Sequence, residues 1–442
     1  MKALSKYLAC CCAAWILLGG VAVVSAQTVG TTRTRIPQDG AAVALNNFLA
    51  QAQAAMDRKD YEAAVQAYHE YLAKKPDDAT VHYDLGYAYT AMQKFSDAKA
   101  EYEKAISLDP KMSAAYQNLG LTLLTTEPSA AVAPLQKAAE LMPEDARTKW
   151  LLGTALEKNG KLDLAIEEYE AAKKLDGKDA DFRASLGHAL LSAGHPSEAE
   201  SVYREALSLH PEGAELGQIH VGLAQALIAQ KKIEEATREL AAYLQSRPDD
   251  ANVRVELAAE LAELGKNDEA LTELDRATGG GSENLRALKL RVQIASQRKH
   301  YDDAVLALQK ATALAPQDAD LAAELGHIYL EKKDYPSAVN ELIVAFKMNQ
   351  TSNDVLGELV TAEYLNKNYA GALKALDLLS QRKTLPMGSW FIRATCYDKL
   401  GQPAQALDAY KKFLELNTDL NNDMYFEASA RVRTLTRELK KR

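Results

Sequence analysis

The sequence predicts an all-α chain, an α-solenoid of about eleven helical hairpins closed by a C-terminal capping helix. Three observations predict it. Apolar residues recur at helical spacing in paired short stretches, as Leu85, Gly86 and Tyr89 and then Ala98, Tyr102, Ala105 and Ile106 within residues 79–112. One alanine can be followed down the chain, mostly in steps of thirty-four residues: Ala64, Ala98, Ala131, Ala165, Ala199, Ala236, Ala270, Ala304, Ala338, Ala372 and Ala406. A proline closes many of the units, at Pro76, Pro110, Pro143, Pro211, Pro248 and Pro316, and the residue before a proline is driven out of the α region. Hairpins of this size cannot bury an apolar face alone, so each must lean on its neighbours.

Within a unit the order is a large residue, Leu-Gly, Tyr, then Ala, an aromatic residue and Pro. Leu-Gly recurs at Leu85-Gly86, Leu119-Gly120, Leu152-Gly153, Leu186-Gly187 and Leu325-Gly326. This pattern resembles the tetratricopeptide repeat, over roughly residues 45 to 420. The resemblance implies a right-handed superhelix of exported bacterial type, protein or peptide as partner, and neither cofactor nor catalysis. It also implies that the Gly and the Ala lie where the two helices of a hairpin cross.

Taken in order, residues 1–26 read as a signal peptide. Lys2 and Lys6 precede an apolar run from Leu8 to Val24, and Val24-Ser25-Ala26 is a small-residue cleavage site that leaves Gln27 first. The expectation is an exported chain, periplasmic or secreted. The alternative is an uncleaved membrane anchor, since the run is long for a signal and is broken by Gly19-Gly20. Cys10, Cys11 and Cys12 do not make a lipoprotein, because a lipidated cysteine follows the apolar run. After cleavage Cys396 is the remaining cysteine, so no internal disulfide forms, and its helical setting reads as a small buried apolar residue.

Residues 27–44 are an aperiodic lead-in, and repeats one to seven occupy 45–278. The third unit is one residue short at Glu127-Pro128, the fourth has Gly177 where proline is expected, and Ala214 to Leu216 are extra before the sixth. Residues 279–282 are a Gly-rich break. Gly279 to Gly281 there could be a hinge or a helix C-cap with a short loop. Repeats eight to eleven fill 283–420. A capping helix follows over 421–442, in which Met424, Phe426, Ala430, Val432 and Leu435 can cover the end of the array.

With 47% hydrophobic and 26% charged residues the chain has globular composition, and its formal charge of −9 includes no Lys/Arg-rich tract of the kind that follows phosphates. Nucleic acid is therefore not an expected partner. No nucleotide, zincin, hydrolase or EF-hand motif is present. The eight histidines are dispersed without metal-ligand spacing, so no metal is expected. Pairs such as Glu167-Glu168 and Glu234-Glu235 read as solvated helix faces.

The resemblance places positions two, five, nine and twelve of each first helix along an inner groove. Here these carry Leu49, Met56, Tyr83, Tyr87, Leu121, Leu124 and Trp150, side chains of the type that anchor bound peptides. The Lys and Asn clamp by which some related arrays hold a C-terminal carboxylate is missing. Its nearest approach is Arg286, Lys289 and Gln293, followed by Glu324 where Asn is needed, which leaves Arg286 and Lys289 as a local site for an acidic segment. The expected function is a non-enzymatic interaction scaffold of the cell envelope. An accessory or regulatory subunit of an envelope export, assembly or enzyme complex is the alternative, and oligomeric state is not legible.

Overall fold

Seven of the first helices begin on a side chain that replaces a missing backbone partner. Asp78 accepts from the Val81 N–H, and Asp145, Asp179, Asp250, Asn284, Asp318 and Ser352 repeat this contact three residues on, at 2.8–3.4 Å. Each such cap is worth about 1 kcal/mol. The computed structural model describes residues 40–279, 284–417 and 422–441. The expected signal peptide, its anchor alternative and residues 280–283 of the possible hinge lie outside them.

Ordered along the chain, the helices are α1 (Gly40–Asp57), α2 (Tyr61–Leu72), α3 (Ala79–Ala91), α4 (Phe95–Leu108), α5 (Ser113–Thr126), α6 (Pro128–Leu141), α7 (Ala146–Lys158), α8 (Leu162–Leu175), α9 (Ala180–Ser192), α10 (Pro196–Leu207), α11 (Gly213–Ala229) and α12 (Ile233–Ser246). They continue as α13 (Ala251–Glu263), α14 (Asn267–Ala277), α15 (Leu285–Gln297), α16 (Tyr301–Leu314), α17 (Ala319–Glu331), α18 (Tyr335–Met348), α19 (Asn353–Leu365), α20 (Tyr369–Arg382), α21 (Met387–Lys399), α22 (Pro403–Leu416) and α23 (Asp423–Lys441). Among the described residues there is no strand, and the helices form eleven hairpins and a last single helix. The extra residues Ala214 to Leu216 lengthen the start of α11.

One backbone device joins the two helices of a hairpin. Lys59, Gln93, Gly160, Gly194, Lys231, Gly265, Lys299, Lys333, Lys367 and Gly401 all stand in the left-handed region, at φ 58–87°. The next residue returns its N–H to a carbonyl five residues back, as Lys94 to Tyr89 at 2.9 Å and His300 to Ala295 at 2.8 Å, which closes the first helix. The hairpin without this device is α5–α6. It is the unit that is one residue short, and Pro128 starts its second helix directly.

All eleven register alanines are fully buried, at 0% exposure. The glycines of the five Leu-Gly pairs face the residue four places after that alanine. A Cβ on Gly86 would meet the Tyr102 ring at 2.8 Å, on Gly153 the Tyr169 ring at 2.8 Å, and on Gly120 the Leu135 Cγ at 2.3 Å. Tyr102, Tyr169 and Leu135 are themselves buried, so they cannot swing away. The crossing is thus a flat backbone pressed on a large side chain, which refines the expectation of Gly against Ala.

A second contact repeats in the early hairpins. In four of them the residue sixteen places before the register alanine reaches a glutamate nineteen residues on: His82 to Glu101 at 2.5 Å and His220 to Glu239 at 2.7 Å by hydrogen bond, Lys149 to Glu168 at 3.0 Å and Arg254 to Glu273 as ion pairs. His82 Nε2 also meets the Pro76 carbonyl at 2.8 Å, and Arg254 Nε donates to the Pro248 carbonyl at 2.9 Å. Later hairpins place Leu288, Ala322, Leu356 and Trp390 at this position, with Leu288, Ala322 and Leu356 buried in the core.

The described residues fall into two compact units, one ending at Glu239 and one beginning at Leu240, a boundary inside α12. In the first, α1 and α2 build a core with α3 from Ala52, Ala64, Tyr68, Tyr71 and Leu85. In the second, successive cores run through Leu288 and Leu325, then Leu342, Leu356 and Leu376, then Phe391, Tyr410 and Phe413. The last of these is closed by α23 through Ala428, Val432 and Leu435, with Arg431 paired to Asp398 through bonds of 2.6 and 2.7 Å. Here the sequence expectation is corrected. Met424, Phe426 and Ala430 are exposed, Phe426 at 58%, because the buried stripe follows the i, i+4, i+7 line from Ala428. Cys396 is buried among Ala372 and Leu373, and burial pushes its thiol up to about 12.

Overpacking tests the crossing. Gly120→Ala and Ala98→Leu each lower stability by about 1–3 kcal/mol. Gly357, within α19, has open space where its Cβ would be. Gly357→Ala therefore raises stability by about 0.5–1 kcal/mol. Thermal melts of the three variants measure both signs, and equal melting temperatures for Gly120→Ala and the parent chain would refute the packing described.

Candidate protein-binding groove

In the first unit the first helices α3, α5, α7, α9 and α11 lie side by side as an inner layer. Hydrogen bonds stitch them: Asn118 Nδ2 donates to Tyr83 Oη at 2.9 Å, Gln117 Nε2 to Thr148 Oγ1 at 2.6 Å, and Trp150 Nε1 to Ser185 Oγ at 2.8 Å. His188 Nδ1 meets Glu157 Oε1 at 2.5 Å, and Glu157 Oε2 accepts from Tyr169 Oη at 2.7 Å. Side chains at these positions therefore point to the inner layer and its neighbours.

The residues singled out in the sequence divide accordingly. Tyr83 and Leu124 are 7% and 2% exposed and belong to the packing between hairpins, so they offer almost no surface to a partner. Tyr83 also lies 5.9 Å from the Tyr102 ring that presses on Gly86. Tyr87, Leu121 and Trp150 are half-buried and keep an accessible edge, with Trp150 fixed by Ser185 and by Phe182 at 6.1 Å. Leu49 and Met56 are half-buried against the first core.

In the second unit Arg286 and Lys289 are exposed on α15 but face acids of their own chain. Lys289 Nζ is 3.6 Å from Asp318 Oδ2, and the Arg286 charge acts on Glu256 and Glu260 of α13. Burial, then the neighbouring Glu263 and Glu256, push Glu260 up to about 7 even so. Both cations thus have acids of their own chain within reach.

Sequence reasoning passed over the inner carboxylates. Asp84, between Tyr83 and Tyr87, is half-buried, and burial together with the Asp78 charge pushes it up to about 6. Asp181 on α9 is pushed up to about 7 by burial, then by Glu215 and Asp179. These three carboxylates bring oxygens within 4.8 Å of one another, an all-oxygen donor set of the kind that suits a hard divalent cation. Nothing in the spacing of residues 179, 181 and 215 announces it, since the approach depends on how α9 and α11 stack.

The Glu157 hydrogen bond raises the pKa of His188 above its ordinary value, against the opposing effect of burial. A histidine raised in the folded state stabilises the fold below its unfolded pKa and loses that contribution as pH rises through the folded one. His188→Asn therefore costs about 1 kcal/mol at pH 6 and less at pH 9. Melting curves at the two pH values check this, and an equal loss at both would dismiss the ionic role.

Known proteins place this geometry. The family model described as "Cilia and flagella-associated protein 70 C-terminal domain" matches residues 2–256, and models described as "Tetratricopeptide repeat" match 255–319, 295–355 and 388–420. The chain is 26% identical over 167 residues to the yeast Saccharomyces cerevisiae "Small glutamine-rich tetratricopeptide repeat-containing protein 2", covering 34% of this chain and 44% of that one. It is 24% identical over 278 residues to "DnaJ protein P58IPK homolog B" of Oryza sativa subsp. japonica, covering 60% and 55%. The chain thus spans about half the length of these curated relatives. A solved structure, "MamA 41-end from Desulfovibrio magneticus RS-1", is 22% identical and covers 38% of this chain and 95% of its own, with a TM-score of 0.37. With one such model spanning more than half of its residues and repeat models spanning most of the remainder, the chain belongs to the tetratricopeptide repeat family, whose arrays are protein-interaction scaffolds.

Proposed function

We propose that this chain is a non-enzymatic adaptor of the cell envelope that holds a segment of a partner protein against the inner layer of its first unit. The observation that carries the reading is the row of half-buried Tyr87, Leu121 and Trp150 on consecutive first helices, which are stitched by Asn118 to Tyr83 and by Trp150 to Ser185. Aromatic and aliphatic side chains that are fixed yet accessible are what binding hot spots require, because little entropy is lost when a partner covers them. The envelope assignment rests on residues 1–26, with their two lysines, apolar run and small-residue site.

Two experiments test this. The chain recovered from its host is expected to begin at Gln27 and to fractionate outside the cytoplasm; an intact Met1 in a cytoplasmic fraction would overturn the envelope assignment. Used as bait in an envelope extract, the chain retains a partner that Tyr87→Ala with Trp150→Ala releases, with affinity falling about tenfold or more. Lys137→Ala, an exposed change on α6, leaves retention unaltered. Retention indifferent to the double substitution would remove the groove from the account.

A further inference from the structure

Some carboxylates elsewhere in the first unit are matched by cations. Glu168 has Lys149, and Glu200 has Arg204 and Lys232. Two inner-layer carboxylates are not matched. Asp84 makes no hydrogen bond or ion pair with any described residue, although it sits between Tyr83 and the accessible Tyr87 on α3. Asp181 on α9 has a buried Oδ1 without a partner, and the neighbours that reach it are the acids Asp179 and Glu215. Charges withdrawn from water without a counter-charge are costly, and a cation arriving with a ligand relieves that cost.

The inner layer between them is suited to such a ligand. Tyr87 and Leu121 can take the methylene stem of a lysine or arginine, and an aromatic face attracts its head. Arg147, half-buried on α7 with no ion pair among the described residues, repels an uninterrupted basic run across the middle. First helices spaced about 9 Å apart put α3 and α9 about 27 Å apart, which an extended chain covers in about eight residues.

Building on the groove reading above, we propose that the inner layer of the first unit accepts an extended partner segment with two separated positive side chains. One sits against Asp84 beside Tyr87 and the other against Asp181. The chain thereby selects basic segments. Asp84 holds a proton at mildly acidic pH because burial and the Asp78 charge raise it, so it ionises as the cation docks.

Fluorescence anisotropy on the full chain tests this with a labelled twelve-residue Gly/Ser/Pro peptide bearing one leucine and two lysines eight residues apart, and with its glutamine counterpart. The lysine peptide is expected to bind about tenfold more tightly than the glutamine peptide at pH 8, and to lose that advantage by pH 5. Asp84→Asn, nearly isosteric and relieved of an unmatched charge, keeps the melting temperature and removes most of the difference. Equal binding of the two peptides, or indifference to Asp84→Asn, overturns the proposal. If both peptides bind equally and Tyr87→Ala weakens both, the groove reading stands and the charge selection falls. If neither binds, both fall. A melting temperature raised by calcium or magnesium ions and not in Asp181→Asn would give the Asp181 end to a metal ion instead, which also overturns the two-site form.

Discussion

The structure depends on one close approach, the first helix of each hairpin pressed onto a large side chain of the second. Where Gly86, Gly153 and Gly187 stand, the rings of Tyr102, Tyr169 and Tyr203 fill the space that a Cβ would claim. The register alanine one turn earlier completes the seat by adding no bulk of its own. In these hairpins the two helices are thereby held close, and dense packing within each lets its neighbours stack without accumulating gaps. The left-handed residue between the helices serves the same end, since it brings the second helix back at a fixed angle. Six of the ten such positions are Lys or Gln, which bear the steric cost that glycine avoids.

Much of this was legible because small residues and prolines are punctuation that the chain cannot do without. The alanine register located the hairpins, and the one-residue deficit at Glu127-Pro128 marked the turn that lacks the left-handed residue. The helix starts were legible too, in the Asp that stands two places after Pro76, Pro143, Pro248 and Pro316, a cap signal the repeat pattern overshadowed. α23 was misread over Met424, Phe426 and Ala430 because it has no counterpart in the array against which its register could be aligned.

The inner layer was harder to read. Its positions follow from the repeat, but whether a side chain there is buried depends on how closely neighbouring first helices approach. Tyr83 disappears beneath Asn118 while Tyr87, one turn on, keeps its edge. The solitary state of Asp84 and Asp181 is a property of what does not surround them, which no one-dimensional spacing encodes. Arg286 and Lys289 are the converse, since the acids that answer them come from the hairpins on either side.

The polar contact sixteen places before the register alanine has a wider consequence. Between His82 and Arg254 it clasps the two helices of four hairpins, as an ion pair at Lys149 and Arg254, whereas from Leu288 onward an apolar residue holds the same place. Dissolved salt shields the former and tightens the latter. One architecture is thus cemented with two mortars, and ionic strength loosens the opening stretch of the chain in the medium that firms its close.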